Sequence, residues 1–161
     1  MKTIGQLIVT TPSDREIRMT REFDAPRKLV FEAYTKPELL QRWLGVFGGW
    51  TLDVCEVDLR VGGRYRYVWR KAGGVEMGMG GVFQEVVMNE RIVTSEKFDD
   101  PWYQGECIAT VTFRESGGRT TLTMDLLYDS REIRDGVLRS PMETGVAASF
   151  DLLEQILGKS A

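Results

Sequence analysis

The sequence predicts an α+β domain in which a curved antiparallel sheet wraps around one long C-terminal helix, with two short helices after the first strand. Three observations predict it. Between residues 51 and 128 apolar and polar residues alternate in short runs separated by Gly, Asn and Asp turns, the pattern of antiparallel hairpins rather than of βαβ crossovers. Two short helical patterns, each with a proline at its start, stand between the first strand and those runs. The last twenty or so residues carry a single apolar stripe at helical spacing. An isolated sheet has an apolar face that must be covered, and this helix is the one element large enough to cover it.

Element by element, residues 15–23 alternate with Ile17, Met19 and Phe23 as the larger apolar points, a half-exposed opening strand. Asp24-Ala25-Pro26 breaks it, with Asp24 placed to cap a helix over Arg27 to Tyr34. Leu29, Val30, Phe31 and Ala33 give that helix its apolar side. Thr35 is expected to cap a second helix from Pro37 to Trp43, striped by Leu39, Leu40, Trp43 and Leu44. The glycine-rich loop at residues 45–49 lacks a phosphate-cradle pattern and reads as a turn. Six strands follow: Thr51–Leu59, Gly63–Lys71, Val75–Val87, Arg91–Phe98, Glu106–Glu115 and Thr120–Tyr128. Ser130 caps a short helix through Arg139, and Ser140-Pro141 opens a longer one to Leu157, ended by Gly158. Met142, Val146, Phe150, Leu153 and Leu157 form its stripe.

Composition bounds the function. A chain of 161 residues suits one domain, 1–161, with residues 1–14 as a flexible or edge segment. Acidic residues number 24 against 21 basic ones, interspersed, and no Lys/Arg block tracks a phosphate backbone, so no nucleic-acid partner is expected. No apolar run reaches the length of a membrane span, and no secretory signal opens the chain; a cytoplasmic setting and no membrane insertion are the expectation. There is no histidine. This excludes Ser-His and Cys-His nucleophiles and the usual zinc sites, leaving carboxylates, Tyr, Lys and Cys for any chemistry. Cys55 and Cys107 lack a metal-binding spacing and read as small buried hydrophobes. No metal and no cofactor are expected.

A sheet gripping one helix often leaves an interior gap, and several residues are placed to line it. Tyr65, Tyr67 and Trp69 alternate on one face of one strand, and apolar pockets are built of such aromatics. Met79, Met124 and Met142 offer adaptable walls. Val146 and Phe150 lie on the helix stripe, and Trp43 flanks the glycine loop. Tyr103 follows Asp99-Asp100-Pro101 in a loop, as a lid or an interface patch. Glu96 shares the parity of Ile92 and Phe98. Facing inward it would anchor a polar group of a ligand or act as an acid; the base rate for Glu favours a solvated position instead.

Phe23-Asp24-Ala25-Pro26, then residues 30–38, Val-Phe-Glu-Ala-Tyr-Thr-Lys-Pro-Glu, and Trp43 resemble the opening of the activator of heat-shock protein 90 ATPase family. Asp58-Leu59-Arg60-Val61-Gly62-Gly63-Arg64-Tyr65, Gly81 to Val86, Gly117 to Thr120 and Met142 to Gly145 continue the likeness from about residue 15 to the end. The resemblance implies the START-like, helix-grip fold and an apolar small molecule held between sheet and helix. Relatives that act on polyketide-like or aromatic substrates make an acid-base enzyme the alternative, and the family name makes a stress-related co-chaperone module another. A binding protein is the first expectation, and a heat-shock protein 90 homologue is not an expected partner, because there is no room for the separate N-terminal domain of the eukaryotic activators. Exposed edge strands leave a homodimer open. Where the family usually has Gly-Trp in the last helix, this chain has Gly145-Val146, a smaller residue in place of a bulky aromatic on the helix face nearest the expected cavity.

Overall fold

The structure, a computed structural model, describes residues 6–100 and 105–159. It contains β1 (Ile8–Thr10), β2 (Glu16–Phe23), α1 (Arg27–Thr35), α2 (Pro37–Leu40), β3 (Thr51–Val57), β4 (Arg64–Lys71), β5 (Val75–Val87), β6 (Arg91–Phe98), β7 (Cys107–Ser116), β8 (Arg119–Leu127), α3 (Arg131–Arg139) and α4 (Met142–Lys159). One antiparallel sheet runs in the order β1-β2-β8-β7-β6-β5-β4-β3. The six later strands form a plain meander, and β2 closes onto β8 with Phe23 opposite Thr120 and Ile17 opposite Leu126. Pairing of the first long strand with the last rests on contacts a hundred residues apart, which local alternation cannot report. Register shifts at Leu52/Val54 and Phe83/Glu85 mark bulges, which bend and twist a sheet. The inner face curves around α1, α3 and α4.

Three helix boundaries depart from the sequence reading. Asp24 does not cap α1: Pro26 holds the N-cap position without a side-chain bond. The free amide of Arg27 instead donates to the Glu115 carboxylate at 2.8 Å, a cap supplied from β7. Thr35 turns its hydroxyl back onto the Phe31 carbonyl at 2.8 Å, so Lys36 takes the N-cap position of a shorter α2. Gly158 lies within α4 rather than ending it. Ser130 does cap α3, accepting from the Ile133 amide at 3.2 Å.

Half of the interior is solid. Phe23, Phe31, Phe113, Leu122, Phe150 and Leu153 are at most 2% exposed. Their rings lock edge to face, Phe31 on Phe113 at 5.2 Å and Phe23 on Phe150 at 5.7 Å, the arrangement aromatic quadrupoles prefer. Arg21 shares the parity of Ile17, Met19 and Phe23 and is likewise buried. Its guanidinium meets Asp151 of α4 at 2.8 Å and the Ala147 carbonyl at 3.3 Å, tying the helix to β2 at the solid end. Cys55 and Cys107 are free thiols on strands separated by three others, which settles against a disulfide between them.

Candidate functional site

The rest of the interior is open. A hollow of about 790 Å³ lies between the inner sheet face and the junction of α3 with α4. It separates two apolar clusters, one around Phe23, Trp43, Tyr65 and Phe150, the other around Ile17, Cys107, Leu126 and Val137. Met124 and Val146 pack against both. The hollow exists because the positions facing it are medium-sized or rigid: Val146 and Met142 on α4, Ala109 and Val111 on β7, Thr94 on β6. Tyrosine rings, held at one end of their strands by hydroxyl or ring contacts, do not collapse into it.

Of the residues expected to line a cavity, Tyr65, Tyr67, Met79, Glu96, Phe98, Met124, Met142 and Val146 stand on its wall. Trp43, Trp69 and Phe150 do not; they are buried behind it. The reason in each indole is its N–H, which needs an acceptor when buried. Trp43 Nε1 donates to the Ala33 carbonyl at 2.9 Å and Trp69 Nε1 to the Leu44 carbonyl at 2.8 Å, so both rings are drawn toward the α1–α2 region and away from the space. Phe150 is held in the solid half by Phe23 and by Trp43, 5.9 Å away. Tyr103 lies outside the described residues.

The sequence reading missed Tyr34, Phe83 and Tyr128, all on the wall, while Trp50, near the glycine loop, also stands on it. Tyr34 lies four residues after Val30 and three after Phe31, so helical spacing already placed it on the buried side. Tyr128 continues the Met124-Leu126 alternation one step past the end of β8.

Glu96 points inward from β6. It shares the parity of Ile92, Thr94 and Phe98, which also line the hollow, so the solvated position favoured by composition is not the one it takes. The side chain is half-buried. Burial raises its carboxyl to about 7, because an ionised carboxylate loses its hydration there. Among the described residues it has no hydrogen-bond or ion-pair partner. Tyr34, Tyr65 and Tyr67 feel its charge, and all three phenols are pushed above their ordinary value, first by burial and then by neighbours that include Glu96. The Cys107 thiol, directly across the ladder from Glu96, is raised for the same two reasons.

The backbone beside Glu96 is opened to make this possible. The β5–β6 ladder pairs Gly80 with Lys97 and Phe83 with Thr94, but records no pairing between. Into that gap Tyr65 sends its hydroxyl, donating to the Ser95 carbonyl at 2.7 Å, while the Val82 amide donates to Ser95 Oγ at 3.0 Å. A side chain at Gly81 would strike the Ser95 carbonyl, so glycine is required at this crossing.

Among the described residues the charged side chains on the wall are acidic: Glu76, Glu96 and Asp100. Glu76 and Asp100 are exposed at the mouth, where Arg70 engages Glu76 at 2.9 Å. Glu96 is the acid of the interior. The described residues hold no cluster of acids and thiols spaced to bind a metal, and no helix among them is long and apolar enough to cross a membrane.

Residues 24–158 match the model of the activator of Hsp90 ATPase homolog 1-like family. The chain belongs to that family. A solved protein from Rhodobacter sphaeroides superposes with a TM-score of 0.91 at 28% identity, covering 96% of this chain and 99% of its own. Ms6760 from Mycobacterium smegmatis has a TM-score of 0.82 at 22% identity, with 94% and 97% covered. The solution structure of an AHSA1-like protein from Aeromonas hydrophila has a TM-score of 0.67 at 20% identity, over 86% of this chain and 93% of that one. The latter two share the fold. No curated protein matches the sequence significantly. The α+β helix-grip architecture expected from the resemblance is therefore the family's own.

Proposed function

We propose that this chain is a small-molecule binding protein that holds an apolar, aromatic or lipid-like ligand in the hollow between sheet and α4. The observation that carries the reading is the hollow itself. At about 790 Å³ it falls within the range of ligand pockets, roughly 300–1,000 Å³, and its mix of aromatic and aliphatic walls with few polar points matches what such pockets present. A filled core of this size would have closed such a gap, since protein interiors pack to the density of organic crystals.

Native mass spectrometry of freshly purified protein, followed by thermal shift against lipids and aromatic metabolites, tests it. A ligand bound by the folded state alone raises the melting temperature in a saturable way. A co-purified mass or such a shift is expected; silence across a broad panel would overturn the proposal.

A second reading is supported by Glu96. A carboxyl near neutrality, facing a hollow among phenols, has the poise of a general acid or base. As an acid-base enzyme on an aromatic or polyketide-like substrate, the protein would lose turnover in Glu96→Gln while still binding substrate. Turnover that survives the substitution would remove Glu96 from the chemistry.

A further inference from the structure

Resting on the small-molecule reading above, we infer that the ligand class is a lipophilic amine: an apolar or aromatic skeleton carrying one cationic nitrogen that pairs with Glu96. Three features of the wall converge on this class. The interior charge among the described residues is the half-buried Glu96 carboxylate, which has no protein partner there, and a carboxylate partly stripped of water and unpaired is an unfavourable arrangement that an ammonium would relieve. Rings surround the site of that charge, Tyr34 from α1, Tyr65 and Tyr67 from β4, and Phe98 from β6; aromatic faces attract organic cations, and more so when water is excluded. Among the described residues no lysine or arginine lines the hollow, and its other charged groups are acids at the mouth, Asp100 and the Arg70-paired Glu76. An anionic ligand such as a fatty acid would meet repulsion inside, from Glu96.

Among the described residues, the titratable groups that interact with Glu96 from the surrounding elements are three phenols and a thiol. Tyr34, Tyr65, Tyr67 and Cys107 all have their ionisation displaced upward, so each is neutral where Glu96 gains its charge. Amine binding therefore follows the ionised fraction of one carboxyl.

The test uses three probes of one shape, 2-naphthylmethylamine, 2-naphthalenemethanol and 2-naphthoate, titrated calorimetrically into the full chain at pH 8. The amine is expected to bind at least about tenfold more tightly than the alcohol, equivalent to roughly 1.4 kcal/mol, with naphthoate the weakest. In Glu96→Gln the amine-to-alcohol ratio falls to about one. In the unaltered chain, where folding is not in question, the amine weakens by about tenfold between pH 8 and pH 6 as the carboxyl protonates, while the alcohol does not follow. An alcohol or a naphthoate that matches the amine, or an amine preference that survives in Glu96→Gln, overturns the inference and leaves the small-molecule reading standing. Absence of binding by all three up to millimolar concentration sinks both.

Discussion

The two ends of α4 sit on opposite kinds of interior. Toward its C-terminus Phe150, Leu153 and Leu157 are buried in a close-packed aromatic core. Toward its N-terminus Met142 and Val146, on the same stripe, keep part of their surface and face the hollow. Local periodicity treats all five as equivalent. The difference arises from what stands opposite: interlocked rings from β2, α1 and β7 at one end, and at the other a space whose walls combine tyrosines with alanine, valine, threonine and a carboxylate. Arg21, bonded to the helix beside Phe150, fixes the solid end further. A continuous stripe can thus serve as a structural anchor over half its length and as a binding wall over the rest.

This contrast can be broken by substitution. The largest effect is expected at the solid end, where Phe150→Ala should destabilise by about 3–5 kcal/mol through lost burial and the cavity left behind. Chemical denaturation measures it, and a loss below about 1 kcal/mol would mean the two ends are alike. The next effect concerns pH. The Glu96 carboxyl is raised in the folded state, so its ionisation disfavours folding; the penalty is absent below about pH 4.5, grows as pH rises toward 7 and is complete above it. Glu96→Gln removes the penalty. It should therefore stabilise the protein by about 2–3 kcal/mol at pH 8 and by almost nothing at pH 4, as read from urea unfolding at each pH. Equal stability of the two proteins at pH 8 would show that water or a partner already satisfies the carboxylate.

Smaller effects are expected on the hollow's wall. Val146→Ala should cost less than about 1.5 kcal/mol, since no close-packed neighbour is lost on the hollow side. Val146→Trp should change stability by less than about 1 kcal/mol while filling the space and weakening probe binding by at least about tenfold. Probe binding undiminished by the larger side chain would place the ligand elsewhere.

Much of this architecture is legible in the sequence, and its limits have physical causes. Alternation and turn chemistry locate the six meander strands, because hairpins are local. The β2–β8 closure is not local and leaves no mark on the chain. At the site, parity put Tyr65, Tyr67 and Trp69 on one face, yet parity alone cannot separate wall from core. Trp69 has the parity of Tyr67 but is withdrawn by its bond to the Leu44 carbonyl. Glu96 and Arg21 show the opposite failure: both follow an inward pattern, and a composition-based preference for solvent argues against what the pattern states. Their burial depends on partners or spaces supplied by distant elements.

The alternation of each strand also has a consequence for descent with change. The outer face carries pairings that tie strands together, Arg18 of β2 with Asp125 of β8, and Arg66 of β4 with Asp99 across Gly78 of β5. The hollow is lined by the residues between them. Substitutions on the two faces lie on opposite sides of the backbone and share no partners, so their effects should largely add. Lineages of this fold are thus free to rewrite what they hold, one inward position at a time, while the outward positions keep the sheet assembled.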